Sequence, residues 1–287
     1  MKNNSYPFDL DATLCCGQVF RWEKKDEWWY GVVENKVLKV RQVCSELDFE
    51  NVDEKFIIDY FRLDDDLQQI SGRIGRDEYI GKAIRKFWGL RIVRQNPWEC
   101  LASYICATFK SIAAIKNMLF RLSKKFGECV RLDGFRFYSF PTPERIAKET
   151  ESNLRECGLG YRAKYLLETS KKLIDDKLDL EDLRKKSYLE TKNLLCGFPG
   201  VGLKVADCVL LFSLEKLEAF PVDVWVKRVI LRHYAEYFSQ EFIDRVSKNR
   251  AFSNKEYERL NEFGRNYFGE YAGYAQEYLY HYERMQR

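Results

Sequence analysis

Histidine is almost missing from this chain: two occur in 287 residues, His233 and His281, far apart. A histidine-rich zinc site is therefore not expected. No cysteine follows Cys208, so the C-terminal part lacks the thiolates of an iron–sulfur cluster. The nine cysteines present show no paired spacing, and no export signal precedes them. Reduced thiols in a cytoplasmic setting are the expectation. No apolar run is long enough to cross a bilayer, and no internal repeat or low-complexity segment is present. A large charge of one sign is also lacking, since 48 basic and 44 acidic residues leave a net charge of +4. Any nucleic-acid footprint must then be a local basic face. What is there is ample apolar content, 46%, and length for two or three modest domains.

The densest signals lie in Leu194 to Val226, LLCGFPGVGLKVADCVLLFSLEKLEAFPVDVWV. Leu194 and Leu195 before the centre, and Val205, Val209 and Leu210 after it, fall at helical spacing, so a tight turn joins two helices. Pro199 ends the first helix. Gly200 and Gly202 let the chain reverse, with backbone N–H groups at Gly200, Val201 and Gly202 open at the start of the second. Bare N–H groups at a helix start are a phosphate seat. The pattern is a helix-hairpin-helix, at about 189–214. Lys204 sits at the positive end of the second helix between apolar neighbours, and both effects favour the free amine that a nucleophile needs. Nineteen residues on, Pro221-Val222-Asp223 delivers a carboxylate at the end of a loop. Each has an ordinary reading too: Lys204 as a phosphate-contacting lysine, Asp223 as the N-cap of a helix starting near Val224.

The rest of the chain divides by period. Residues 1 to about 50 read as an antiparallel meander, with strands in Val19–Trp22, Trp28–Val33 and Val37–Val40. Gly17 opens the first of these, as a turn glycine or a point of close approach. From Asp53 the period is helical, with faces at Phe56, Ile57, Tyr60 and Phe61 and at Ile80, Ala83, Ile84 and Phe87. Pro97 suits the first turn of a buried helix to about Thr108. Ser111 suits the N-cap of another through Phe126, with Ile112, Ile115, Leu119 and Leu122 buried. Thr142-Pro143 starts a short helix, and Gly158 to Lys164 opens one running to about Asp175. Lys204 and Cys208 share a face, as do Gln276 and Tyr280 near the C-terminus.

GVGLKVADC with PVDV, CGQVFRW from Cys16, LGYR from Leu159 and AGYAQEYLY from Ala272 together resemble the 8-oxoguanine DNA glycosylase/lyase family of helix-hairpin-helix enzymes. The match runs from Cys16 to Tyr280. The resemblance implies an α+β chain: an N-terminal β-sheet domain with bridging helices, 1–92, then a helical glycosylase region, 93–287, with the active site between helical subdomains. It implies removal of 8-oxoguanine from double-stranded DNA by base flipping, a Lys204 Schiff base assisted by Asp223, and elimination at the abasic site. Gly17, Cys208, Gln276 and Tyr280 would form the base pocket. The Gly17 carbonyl would accept the N7 hydrogen that 8-oxoguanine has and guanine lacks. Tyr161 would be a wedge, and Arg162 would read the opposite base. No cofactor is implied, though a monovalent cation at the hairpin carbonyls is compatible with it. A monomer working near the nucleoid, away from membranes, is expected.

Four departures stand out. Phe109-Lys110-Ser111 replaces a run of asparagines, and Ala114 replaces an arginine, so weak preference for the base opposite the lesion is expected. Trp225 stands where relatives have a histidine, keeping a stacking surface but losing a phosphate contact. Tyr280 replaces a stacking phenylalanine. Two other readings stay open: a glycosylase for another damaged purine, such as an alkylated base, and a non-catalytic hairpin protein that binds DNA.

Overall fold

Four strands, β1 (Trp22–Lys25), β2 (Trp28–Val33), β3 (Lys36–Val43) and β4 (Glu46–Glu50), pair antiparallel in chain order, with Trp29 opposite Val40 and Val40 opposite Phe49. The computed structural model describes residues 6–33, 35–248 and 253–286. The Trp28–Val33 run is apolar without alternation because both faces of the sheet are covered. Trp29, Leu38 and Val40 pack inward with helices α1 (Leu10–Cys15) and α2 (Glu54–Tyr60). Tyr30, Val32 and Val37 pack outward on Phe137 of a second hairpin, β5 (Cys129–Leu132) and β6 (Phe135–Tyr138). The meander needs two corrections. Asp9 accepts the Ala12 N–H at 2.8 Å and caps a helix where strand was expected. The first strand runs Trp22–Lys25, so of Val19–Trp22 only Trp22 is strand and Gly17 does not open one.

The remainder is helical: α3 (Leu67–Ile74), α4 (Glu78–Lys86), α5 (Pro97–Ala107), α6 (Ile112–Phe126), α7 (Pro143–Ala147), α8 (Glu151–Leu154), α9 (Arg162–Asp175), α10 (Tyr188–Cys196), α11 (Leu203–Ser213), α12 (Val224–His233), α13 (Gln240–Lys248), α14 (Asn254–Phe268) and α15 (Ala272–Arg284). Their starts follow local chemistry. Pro97 occupies the first turn of α5 behind Asn96, and Ser111 accepts the Ala114 N–H to cap α6. Ser187 and Ser253 form capping boxes with Glu190 and Glu256. The large core runs from Ala12, Cys16 and Phe20 through α3 to α5 and on to Leu279, so the first 92 residues contribute to both cores. No helix among the described residues is long and apolar enough to cross a membrane.

Candidate active site

The hairpin is α10, the turn at 197–202 and α11. Gly200 has φ +79°, and a methyl there would lie 2.7 Å from Cβ of Tyr165, so only glycine lets the turn rest on α9. The Val201 N–H is taken by Phe198 O at 3.1 Å, and its side chain is buried. Val201 therefore does not offer the open N–H expected of it. The open groups lie further on, because Gly202 begins α11 with no side-chain cap. The first N–H groups of α11 point out beside exposed Gly202. Among the hairpin carbonyls, Phe198 O accepts from Val201 N and Pro199 O from Thr169 Oγ1, which leaves each a second lone pair.

Within the first turn of α11 the side chains change character. Lys204 is half-buried, and its Nζ lies 6.0 Å from the centroid of the Tyr104 ring on α5. Cys208 is buried one turn further on the same helix, and burial pushes its thiol up to about 12. It is a neutral, soft wall at neutral pH. Asp223 closes the loop after α11 and is indeed the N-cap of α12, its Oδ1 accepting from Trp225 and Val226 N–H at 2.9 Å each. Burial raises the Asp223 carboxyl above its usual range, while the Lys204 charge and the two cap N–H groups pull it back. Lysine and carboxylate thus act on each other across one cleft.

A buried network that the sequence did not suggest holds these two groups together. Asp207, between Lys204 and Cys208 on α11, is fully buried. Its carboxylate accepts from Tyr188 Oη at 2.6 Å, Lys192 Nζ at 2.9 Å, Tyr257 Oη at 2.6 Å and Asn261 Nδ2 at 3.1 Å. Asn261 also donates to Phe220 O at 2.8 Å, and the Val222 N–H reaches Tyr257 Oη at 3.4 Å. The helix bearing Lys204 and the loop bearing Asp223 are tied to one carboxylate. Satisfied buried networks of this kind make a local geometry rigid.

Gly17 lies across the cleft with φ +108°, and a methyl there would meet Arg284 Nη1 at 2.9 Å and Tyr280 Cε1 at 3.3 Å. Its position is set by the next residue. Buried Gln18 donates through Nε2 to Arg91 O at 2.7 Å and Thr13 O at 3.0 Å, and accepts the Val93 N–H at 2.9 Å. Its carbonyl takes Gln95 Nε2 at 2.9 Å. Gln276 is buried, and its Oε1 has no hydrogen-bond partner among the described residues. Half-buried Tyr280 is one turn on, next to Gly17. Glu277, which sequence reasoning passed over, is buried beside Cys16 with its carboxyl held up at about 7 by desolvation. Gly17 thus rests against Tyr280, whose hydroxyl feels the Asp223 charge.

Residues expected to face DNA divide into two groups. Phe109 is 87% exposed and held at φ +56°, and Tyr161 is 48% exposed with its ring edge-on to Tyr165. Trp225 is partly buried under the Arg228 guanidinium, 4.9 Å from its centroid. Arg162, by contrast, is turned inward. It is buried, and its guanidinium donates to Thr108 O and Leu159 O. In this structure it supports the turn that presents Phe109 rather than reaching toward a base.

Residues 1–101 match the family described as "8-oxoguanine DNA glycosylase, N-terminal domain", and residues 103–239 match "HhH-GPD superfamily base excision DNA repair protein". An "N-glycosylase/DNA lyase" of Saccharomyces cerevisiae is 32% identical, over 94% of this chain and 82% of that protein. The structure of a Clostridium acetobutylicum 8-oxoguanine glycosylase/lyase, bound to double-stranded DNA with cytosine opposite 8-oxoG, superposes with a TM-score of 0.87. It is 32% identical and covers 99% of this chain and 97% of its own. A 3-methyladenine DNA-glycosylase from Archaeoglobus fulgidus shares the fold, with a TM-score of 0.75 at 22% identity, over 98% of this chain and 97% of its own. With the helix of Lys204 and the loop before Asp223 joined through one buried network, and with relatives matching almost end to end, the chain belongs to the 8-oxoguanine DNA glycosylase/lyase family.

Proposed function

We propose that this cleft removes 8-oxoguanine from duplex DNA and then cleaves the strand at the abasic site. The observation that supports the reading is the mutual charge influence of Lys204 and Asp223, with Cys208 and Tyr280 within reach of the Asp223 charge and Tyr280 against Gly17. The damaged nucleotide leaves the stack, at a cost of a few kcal/mol. The uncapped start of α11, at Gly202, takes a backbone phosphate. The base enters between Cys208 and Tyr280, with the bare Gln276 amide on its Watson–Crick edge and the Gly17 carbonyl on N7–H. Asp223 uses Oδ1 for its cap and turns Oδ2 to the sugar, where it stabilises the oxocarbenium-like charge. Lys204 Nζ, after losing a proton, attacks C1′ as the N-glycosidic bond breaks and the base leaves with a proton. The C1′–O4′ bond then breaks, O4′ taking a proton, to leave C1′ as a Schiff base with Lys204. Loss of a C2′ proton follows, and the bond from C3′ to its phosphate oxygen breaks.

Borohydride trapping on 8-oxoguanine duplex tests this reading: a covalent enzyme–DNA adduct is the expected product, and its absence would reject a lysine Schiff base. The opposite base should matter little. Phe109 and Ala114 carry no hydrogen-bonding side chain, and the buried Arg162 guanidinium is turned inward, with Nε, Nη1 and Nη2 each donating to Thr108 O or Leu159 O. A base-reading hydrogen bond that is missing takes away about 1–3 kcal/mol of discrimination. Single-turnover excision opposite cytosine, thymine, guanine and adenine should give similar rates. A cytosine preference of about a hundredfold or more would mean that other residues read the partner base.

A further inference from the structure

The base pocket has one wall that no motif accounts for. Arg284 ends α15, one turn beyond Tyr280, and its Cζ lies 5.3 Å from the Tyr280 ring centroid. Nη2 donates to Cys15 O and stands 3.3 Å from His281 Nδ1. Burial and the Arg284 charge hold the His281 ring down at about 4, so it is neutral and accepts that contact. Nη1 is less committed, meeting Tyr280 Oη only at 3.4 Å. It also lies 2.9 Å from where a methyl on Gly17 would be. A guanidinium with donors to spare therefore stands directly beside the glycine.

We propose that Arg284 is a base-contacting specificity residue, whose Nη1 donates to an oxygen flanking N7 of 8-oxoguanine. This rests on the reading of Gly17 as the acceptor of N7–H. On that edge 8-oxoguanine presents O6, N7–H and O8, so a donor site is flanked by acceptors on both sides. A carbonyl from Gly17 next to a donor from Arg284 complements any adjacent pair of these. Guanine presents two acceptors there, O6 and N7, and meets the Gly17 carbonyl lone pair to lone pair. The guanidinium is planar and always charged, and its fork is held from behind by Cys15 O, so little ordering remains on binding. The Asp223 and Glu277 carboxyls both feel its charge, which keeps a cation at this position compensated.

The test compares wild type, Arg284→Met and Arg284→Lys on two duplexes, one with 8-oxoguanine and one with a preformed abasic site. Arg284 is half-buried at a helix end, so neither variant should disturb the fold. Arg284→Met should lose about 10- to 100-fold in single-turnover base excision, the size of one charged hydrogen bond. It should keep the wild-type rate of strand cleavage at the abasic site, and Arg284→Lys should recover part of the excision. Unchanged or faster excision by Arg284→Met would overturn the proposal, since the guanidinium would then be a bystander or an obstruction. Equal losses on both duplexes would overturn it as well, in favour of a general DNA contact. Failure of the wild type on 8-oxoguanine would instead reject the base assignment, and it would show before any substitution is made.

Discussion

Helix α11 begins at Gly202 with no side chain on its first N–H groups, whereas α12 begins at Asp223, whose Oδ1 takes two of them. Both starts open into the same cleft, and each carries the partial positive charge of a helix dipole. The bare start is left for an anion from outside, and the closed start has brought its own. The difference separates two tasks. Binding a phosphate needs open donors, whereas a catalytic carboxylate needs a fixed orientation, which the cap supplies. Asp223 is therefore a structural cap and a chemical group at once, and the ordinary reading of it as an N-cap holds beside the catalytic one.

The comparison breaks most severely at Lys204. Lys204→Gln should keep the fold and DNA binding, because a half-buried lysine at a helix start packs little. Base release and borohydride trapping should fall to background, and normal excision would remove Lys204 from the reaction. Asp223→Asn should be next. Asparagine caps nearly as well as aspartate, so thermal stability should hardly change while excision drops by about 100- to 10,000-fold. A variant that melted far lower would show that the cap, and not the charge, had been lost.

Gly202→Asp would make the open start resemble the closed one. The backbone there is extended, with φ −92° and ψ 178°, and a methyl meets nothing within 4 Å, so aspartate fits as a cap. Stability should hold or rise by a few tenths of a kcal/mol. Affinity for duplex, measured by fluorescence anisotropy, should fall about tenfold or more as a carboxylate takes the phosphate seat. Unchanged affinity would mean that the phosphate binds elsewhere.

Two smaller effects sharpen the picture. Tyr257→Phe removes the hydroxyl that links Asp207 to the Val222 N–H, so the Asp223 loop should loosen while α11 stays in place. Excision kcat should drop about tenfold with KM unchanged, and trapping at a preformed abasic site should persist. Equal damage to both would assign Tyr257 to general packing. The last concerns Glu277, whose carboxyl burial holds at about 7 against an ordinary 4.5. The folded chain keeps this proton where the unfolded chain has lost it. Stability therefore falls as pH rises from the ordinary value to the folded one, and the penalty is complete above it. Glu277→Gln should raise the melting temperature by a few degrees at about pH 8 and leave it unchanged near pH 4.

Local chemistry was legible wherever a short stretch carried its own reason. Pro97, Ser111 and Thr142-Pro143 start helices as their side chains require, and the hairpin follows from Pro199 and its glycines. The short α1, α3 and the exposed hairpin β5–β6 were not legible. Each is brief, with a weak period, and is held by partners distant in sequence: Tyr30 Oη donates to Asp133 at 2.8 Å from the other hairpin. At the site, the chemical residue types and their helical faces could be read from spacing alone, Lys204 with Cys208 and Gln276 with Tyr280. The inward turn of Arg162, the occupied N–H of Val201 and the Asp207 network could not.

The sequence by itself determined which groups this protein has for chemistry and how its hairpin turns, because a proline, two glycines and a helical period act within a few residues. Only the tertiary structure decided which of those groups face one another. Arg284 reaches Cys15 O, Gly17 is set by Gln18 against Arg91 and Val93, and the loop before Asp223 is tied to helix α11 through Asp207. The physical reason is that these are buried hydrogen bonds between segments far apart in the chain. Their partners are chosen by the need to satisfy every buried donor and acceptor once the cores have formed.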